Sequence, residues 1–248
     1  MAEEQEALKR AGLWHHLGWR VATILWLSLL ATVVGVAFRG VVNPATTAFM
    51  RTRLLYLQSH GEPHARIEYH WENYADIAPA MHLAVVASED QTFPFNHGFN
   101  MRAIEAALRH NRTHRRILGA STITQQTAKN LYLWSGRTYF RKALGAYFTV
   151  LIDIEWSKRR VLEMYLNVAQ FDSRAFGVGA AARQLFGVTP GQLTSGQAAL
   201  LAAALPSPDR SDAADPSAYL RRRQDWILEQ MQQLGPDYLA GITEGRAR

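Results

Sequence analysis

Residues 119–131 read "GASTITQQTAKNL": a glycine and small hydroxyl residues, then paired glutamines and a lysine. Thr122 stands three residues before Gln125, the spacing of a capping box, so a helix is predicted to open there. On that helix Gln125 and Lys129, four residues apart, share a face. Ser121, Thr122, Gln125 and Gln126 admit two readings: capping and buried polar packing, or neutral hydrogen bonds to a sugar or phosphate.

Upstream, "SEDQTFPFNHGFN" (88–100) sets Glu89 and Asp90 side by side after the apolar run "MHLAVV" (81–86). An acidic pair is usually a solvated turn or a helix start. A carboxylate partly shielded from water can instead act as the base that activates an alcohol. Downstream, "GRTYFRKALGAY" (136–147) places Arg137 and Arg141 four apart. Each alone reads as a solvated basic face. Together, Lys129, Arg137 and Arg141 on two successive helices could converge on a diphosphate, whose oxygens match arginine forks and a lysine charge.

The rest of the chain constrains the setting. Among its 248 residues there is no cysteine, which removes disulfides and thiolate metal sites, and the formal charge of +6 favours anionic partners. "VATILWLSLLATVVGVAF" (21–38) is uncharged between Arg20 and Arg39. As a helix it covers about 27 Å, enough for a bilayer core. It is long for the apolar part of a signal peptide, and no convincing cleavage site follows. The predicted organisation is a cytoplasmic tail (1–20), a transmembrane anchor (21–38), a membrane-proximal connector (39–80) and a mainly α domain (81–240). "MRAIEAALRHN" (101–111) gathers Ile104, Ala107 and Leu108 on one face, and "AYLRRRQDWILEQMQQL" (218–234) is a last amphipathic helix. A nucleic-acid binder is disfavoured by the anchor and by the lack of aromatics interleaved with basic residues. His110 and His114 have the spacing of a zinc pair but no accompanying third ligand, so no metal site is expected.

Taken in order, "SEDQTFP", "GASTITQQTAKNL", "RTYFRK", "WSKRRVLEMYLNVAQF…FGVGAAARQLFG" and "LTSGQAALLAAALPSP" closely resemble the monofunctional biosynthetic peptidoglycan transglycosylases, glycosyltransferase family 51. The resemblance runs from the anchor to about residue 235, and the remaining residues are too few for a penicillin-binding domain. It implies a mainly helical, lysozyme-like domain on a single-pass anchor in the bacterial inner membrane, with the catalytic side periplasmic. The implied reaction lengthens a glycan held on undecaprenyl diphosphate: the 4-hydroxyl of lipid II attacks its anomeric carbon with inversion. Glu89 would be the base. Asp90 would shape or hydrate the site, Lys129, Arg137 and Arg141 would stabilise the departing diphosphate, and Ser121, Thr122, Gln125 and Gln126 would position substrate. Implied partners are lipid II, the growing glycan, the membrane and proteins of cell division or elongation. No cofactor is expected to be tightly bound, and Mg²⁺ would arrive with the substrate diphosphate.

Several positions depart from the family pattern. Gly145 stands where the second glutamate of the third motif is expected, and Asn96 where a histidine is usual, with His97 next to it. Gly179 and Gln197 take places where glutamate is common, Leu185 replaces an aromatic, and Asp172, Ser173 and Arg174 replace a glycine-rich turn. A diphosphate leaves without the protonated carboxyl that a glycosidase needs, so Gly145 is compatible with transfer. Asp153 is a candidate replacement acid. The rival readings are a lytic enzyme with Glu89 as its acid, and an impaired scaffold that binds lipid II.

Overall fold

The computed structural model describes residues 2–114, 119–136 and 138–244. Two units divide between Val42 and Asn43. The first is one helix, α1 (Ala2–Val41). Its segment Gly18–Val41 has a mean hydropathy of 2.3 and is long and apolar enough to cross a membrane. Tail and apolar span therefore share one helix.

The second unit is mainly helical: α2 (Ala48–Ser59), α3 (Pro79–Glu89), α4 (Met101–Thr113), α5 (Ile123–Tyr132), α6 (Tyr139–Glu155), α7 (Lys158–Val168), α8 (Gly177–Phe186), α9 (Ser195–Ala204), α10 (Ala218–Leu234) and the short α11 (Ala240–Thr243). Residues 43–80, expected as a connector, belong to this same compact unit, and α2 packs on α5.

Two helix groups carry the packing. In one, α9 and α10 pack on α3; in the other, α5 lies against α6 and α7. The reason is composition. Helix α9 buries Ala198, Ala199, Ala202, Ala203 and Ala204, whose small side chains allow neighbouring helices to approach closely. Helix α7 buries Val161, Leu162, Met164, Tyr165, Leu166 and Val168 on nearly every face, as a central helix must. The buried Asn167 on α7 satisfies its amide on the main chain of residue 72: Nδ2 donates to Glu72 O and Oδ1 accepts from Glu72 N, both at 2.8 Å.

A two-residue parallel pair, β1 (Glu68–Tyr69) with β2 (Ala175–Phe176), aligns Glu68 with Ala175 and Tyr69 with Phe176. Just beyond β1 the chain runs so close to α8 that a Cβ on Gly179 would lie 2.4 Å from His70 O. No larger residue fits without displacing that strand. The carboxylate of Glu72 reaches in and pairs with Arg183 at 2.7 Å. An acid from the neighbouring segment thus stands beside the place where a glutamate at 179 was expected. Gln197 accounts for itself as well: its Oε1 accepts from Thr194 N at 3.0 Å, completing a capping box that a glutamate would otherwise complete.

His82, 4% exposed on α3, stacks on Tyr74 with ring centroids 4.0 Å apart, and Arg159 lies over the Tyr74 ring at 4.9 Å. Its Nε2 is buried with no hydrogen-bond partner among the described residues. Burial, aided by the Arg159 charge, pushes His82 down from 6.5 to about 4. The unfolded chain therefore takes up this proton first as pH falls. Stability that is intact above pH 6.5 should be lost between pH 6.5 and about 4, by about 3 kcal/mol in all. Chemical denaturation of the full chain in detergent at a series of pH values should show this loss. His82→Phe, which keeps the stack without the titration, should lack it.

Candidate active site

Glu89 is the last residue of α3, where the helix stops and the backbone of Asp90 turns extended. The position is sheltered, and Glu89 faces three elements. From α5, Gln126 Nε2 donates to Glu89 Oε2 at 2.8 Å. From α10, Arg223 Nη2 stands 3.9 Å from Glu89 Oε1. Tyr165 on α7 then donates its hydroxyl to Gln126 Oε1 at 3.1 Å. Burial raises the Glu89 carboxyl above its ordinary range, partly opposed by the Gln126 hydrogen bond and by the Arg223 and Lys129 charges, while Asp90 adds to the rise. A carboxylate that is desolvated yet hydrogen-bonded has the character of a general base.

Lys129 lies on the same helix as Gln126. Its ammonium is pushed down by burial and by Arg141, and held up by Glu89. It lines two cavities. One, of about 400 Å³, also presents Ser121, Gln125, Arg141, Lys142 and Gly145. The other, of about 250 Å³, presents Gln126, Tyr165, Gln170 and Asp209. Arg141, in the first turn of α6, buries an Nε with no partner among the described residues, and Arg223 does the same. Two buried arginine donors without acceptors, beside a desolvated lysine, suit an anionic ligand. The first cavity has an apolar side as well. Ile104, Ala107 and Leu108, which share one face of α4, form part of its wall, and Leu108 is exposed. Arg137 lies outside the described residues.

Asp90, expected to shape or hydrate the site, and Thr122, read as either a cap or a substrate contact, are turned inward. Asp90 is 7% exposed. Its oxygens accept from Asn96 Nδ2 at 3.0 and 2.9 Å, from Thr92 Oγ1 at 2.9 Å, and from Ile123 N, the first peptide of α5, at 3.2 Å. Thr122 is the helix cap. Its Oγ1 donates to Gly98 O at 2.6 Å and accepts from Gln125 N, while Gln125 Oε1 accepts from Thr122 N at 2.9 Å. Both residues place the site rather than face the cleft. Ser121 is exposed, and with Gln125 it lines the larger cavity.

The departures have physical readings here. Asn96 bridges Asp90 to the buried Lys158, whose Nζ donates to Asn96 O at 2.5 Å. Asp153 is engaged by the same lysine at 3.0 Å, so it does not replace the missing acid. At Gly145 a Cβ would meet only Leu133 Cδ1, at 3.4 Å, and among the described residues no carboxylate lines this cavity. A divalent ion has no carboxylate ligand there. His110 and His114 stack ring on ring at 4.0 Å, and no cluster of metal-ligating residues occurs among the described residues.

Arg223 was not singled out from the sequence. It lies in the run Arg221–Arg222–Arg223 on an amphipathic helix, where nothing local separates a cleft arginine from a solvated one.

Residues 58–232 match the family model described as Transglycosylase. The biosynthetic peptidoglycan transglycosylase of Xanthomonas euvesicatoria pv. vesicatoria (strain 85-10) is 46% identical over 236 residues, covering 94% of this chain and 93% of that protein. The protein of the same description from Pseudomonas putida (strain KT2440) is 47% identical over 224 residues, covering 90% of this chain and 94% of its own length.

The inward placement of Asp90 sets an expectation. Asp90→Ala strips acceptors from Asn96, Thr92 and the first peptide of α5, and should cost about 3 kcal/mol of stability. Ser121→Ala, on the exposed rim, should change stability by less than about 0.5 kcal/mol. Denaturant titrations of the two variants check both values.

Proposed function

The chain belongs to the transglycosylase family and is a peptidoglycan glycosyltransferase; from that premise we propose that it polymerises lipid II, with Glu89 as the base. In this reaction the Glu89 carboxylate takes the proton of the 4-hydroxyl of lipid II as that oxygen attacks the anomeric carbon of the growing strand. The new glycosidic bond forms as the bond to the diphosphate oxygen breaks, the configuration inverts, and undecaprenyl diphosphate departs. Negative charge grows on phosphate oxygens, so what the departing group needs is fixed positive charge, which Lys129 and Arg141 are placed to supply and Arg137 would join. Gln126 and Arg223 hold the base in position. Mg²⁺, where it takes part, comes as the counter-ion of the diphosphate. Helix α1 would hold the enzyme in the inner membrane with its second unit on the periplasmic side, where the lipid-linked substrate is presented.

One observation supports this reading above the rest. Gln126 bonds the sheltered acid Glu89 at 2.8 Å, and Lys129, on the same helix, lines one cavity with Gln126 and another with Arg141, so the acid and the anion-binding groups meet along one helix. A lytic enzyme acting on finished glycan has no diphosphate to bind and gains nothing from those cations.

Full-length protein in detergent should form glycan polymer from labelled lipid II on a gel. Glu89→Gln should lower the rate by about 100- to 10,000-fold, the range for loss of a general base. Equal activity would remove Glu89 from the mechanism. Since the base works ionised and burial raises its carboxyl, activity should fall as pH drops through that raised value. The depressed Lys129 should bring the alkaline limb lower than for an ordinary lysine.

Gly145 favours one second reading, a scaffold that binds lipid II without joining it. A Cβ at position 145 would meet only the end of Leu133, in ordinary contact, and replacing the glycine gains the helix up to about 1 kcal/mol. The transfer reading expects polymer from the unaltered protein and from Gly145→Glu alike. Lipid II binding without polymer in the former, and polymer only in the latter, would establish the scaffold.

A further inference from the structure

We propose that Tyr165 is a positioning residue for the transfer reaction: its hydroxyl fixes which end of the Gln126 amide faces Glu89. The proposal rests on the general-base reading of Glu89 for its catalytic consequence, but not for its structural content.

The geometry is a chain of two hydrogen bonds across three helices. Tyr165 on α7 is 1% exposed, and its hydroxyl lies 3.1 Å from Gln126 Oε1; Gln126 Nε2 lies 2.8 Å from Glu89 Oε2. A glutamine amide has one accepting end and one donating end, and an ionised carboxylate only accepts. With Glu89 ionised, Nε2 must face the carboxylate, which leaves Oε1 in need of a buried donor. The phenol proton is that donor.

Consider the same site without the hydroxyl. The α7 side then offers the amide neither donor nor acceptor, so one end is left unpaired there in either direction and the tyrosine side no longer favours one over the other. In the turned state Oε1 faces Glu89 and can be satisfied only if Glu89 carries a proton to donate. With the hydroxyl present, the phenol oxygen could accept from Nε2 of a turned amide, but the phenol proton would then lose its acceptor, Gln126 Oε1; the hydroxyl therefore disfavours the protonated acid, although it never touches it. The charged and titratable groups that also face Glu89 are Lys129 from α5, Arg223 from α10 and the adjacent Asp90. None of these bonds to the Gln126 amide, so none can replace the phenol in setting its direction. Buried tyrosines commonly serve packing, and Tyr165 does this too. Tyr165→Phe removes only the oxygen, so packing and direction can be separated.

The test uses the full chain in detergent. Protonation of Glu89 is read from the carboxyl stretch in infrared difference spectra, taken against the matching Glu89→Gln form across a pH series. Polymerisation of labelled lipid II is measured over the same series. In Tyr165→Phe, the ratio of ionised to protonated Glu89 at a given acid pH should fall by up to about tenfold, the factor carried by one buried neutral hydrogen bond. The acid limb of activity should move to higher pH with it. A folded Tyr165→Phe protein with unchanged Glu89 titration would overturn the proposal; a lowered melting temperature alone would assign Tyr165 to packing. Should Tyr165→Phe not fold, Gln126→Met removes the same amide from the other side. It should shift the titration in the same direction, and no shift would again overturn the proposal. If the spectra shift while the acid limb of activity stays in place, the role of Tyr165 stands and Glu89 is not the base.

Discussion

The bond from the first peptide N–H of α5, at Ile123, to the carboxylate of Asp90 ties together the two helix groups of the domain. Asp90 follows directly on Glu89, and α5 carries Gln126 and Lys129, so one contact fixes Glu89 relative to its hydrogen-bond donor and to Lys129. A helix start has unsatisfied N–H groups and a positive end, and a carboxylate answers both needs. Thr122 adds a second tie by bonding Gly98 O across the same junction. The adjacent acids thus divide the labour. Asp90 locates the helix, and Glu89 is left with one amide and one distant guanidinium.

That arrangement needs the 90–100 loop to be rigid, and its rigidity comes from a buried charge. Lys158 is 3% exposed, yet it donates to Asn96 O, pairs with Asp153 and lies 5.2 Å from the ring centre of Phe93. An unpaired ammonium at that depth would be strongly destabilising. With an anion, a carbonyl and an aromatic face around it, the charge costs little and its geometry is narrowly set. Asn96 passes this order on to Asp90 through its side-chain amide, and Asp90 passes it to the first peptide of α5.

Much of the domain could be read from residue order alone. The capping box at Thr122 and Gln125 predicted where α5 begins, and the helix does begin there. Capping and substrate binding, however, ask for the same residue types. For Thr122 the sequence left the inward and the cleft-facing readings both open, and for Asp90 it gave no direction, because direction depends on partners 24 and 33 residues away in the chain. Arg223 and Tyr165 carried even less signal. One sits in a run of arginines on an amphipathic helix, the other beside the apolar residues Met164 and Leu166 of α7, where a tyrosine reads as core. Both acquire a function only through packing against helices distant in sequence, which no local period records.

The departures from the family pattern sort by whether something takes the place of the missing group. Glu72 supplies a carboxylate beside Gly179, Gln197 completes the cap that a glutamate would, and Asn96 bridges Asp90 to Lys158. Gly145 differs. The nearest candidate acid, Asp153, is committed to Lys158, and the cavity wall around Gly145 carries Lys129, Arg141 and Lys142. A site meant to protonate its leaving group would suffer from this loss, because a diffuse field of cations cannot deliver a proton. A site whose leaving group is already a diphosphate is asked only to balance charge. Removing a carboxylate from among three cations makes that field more positive, and the increase grows as water is excluded. The glycine is thus hard to reconcile with glycosidase-type acid catalysis and accords with transfer from a diphosphate carrier.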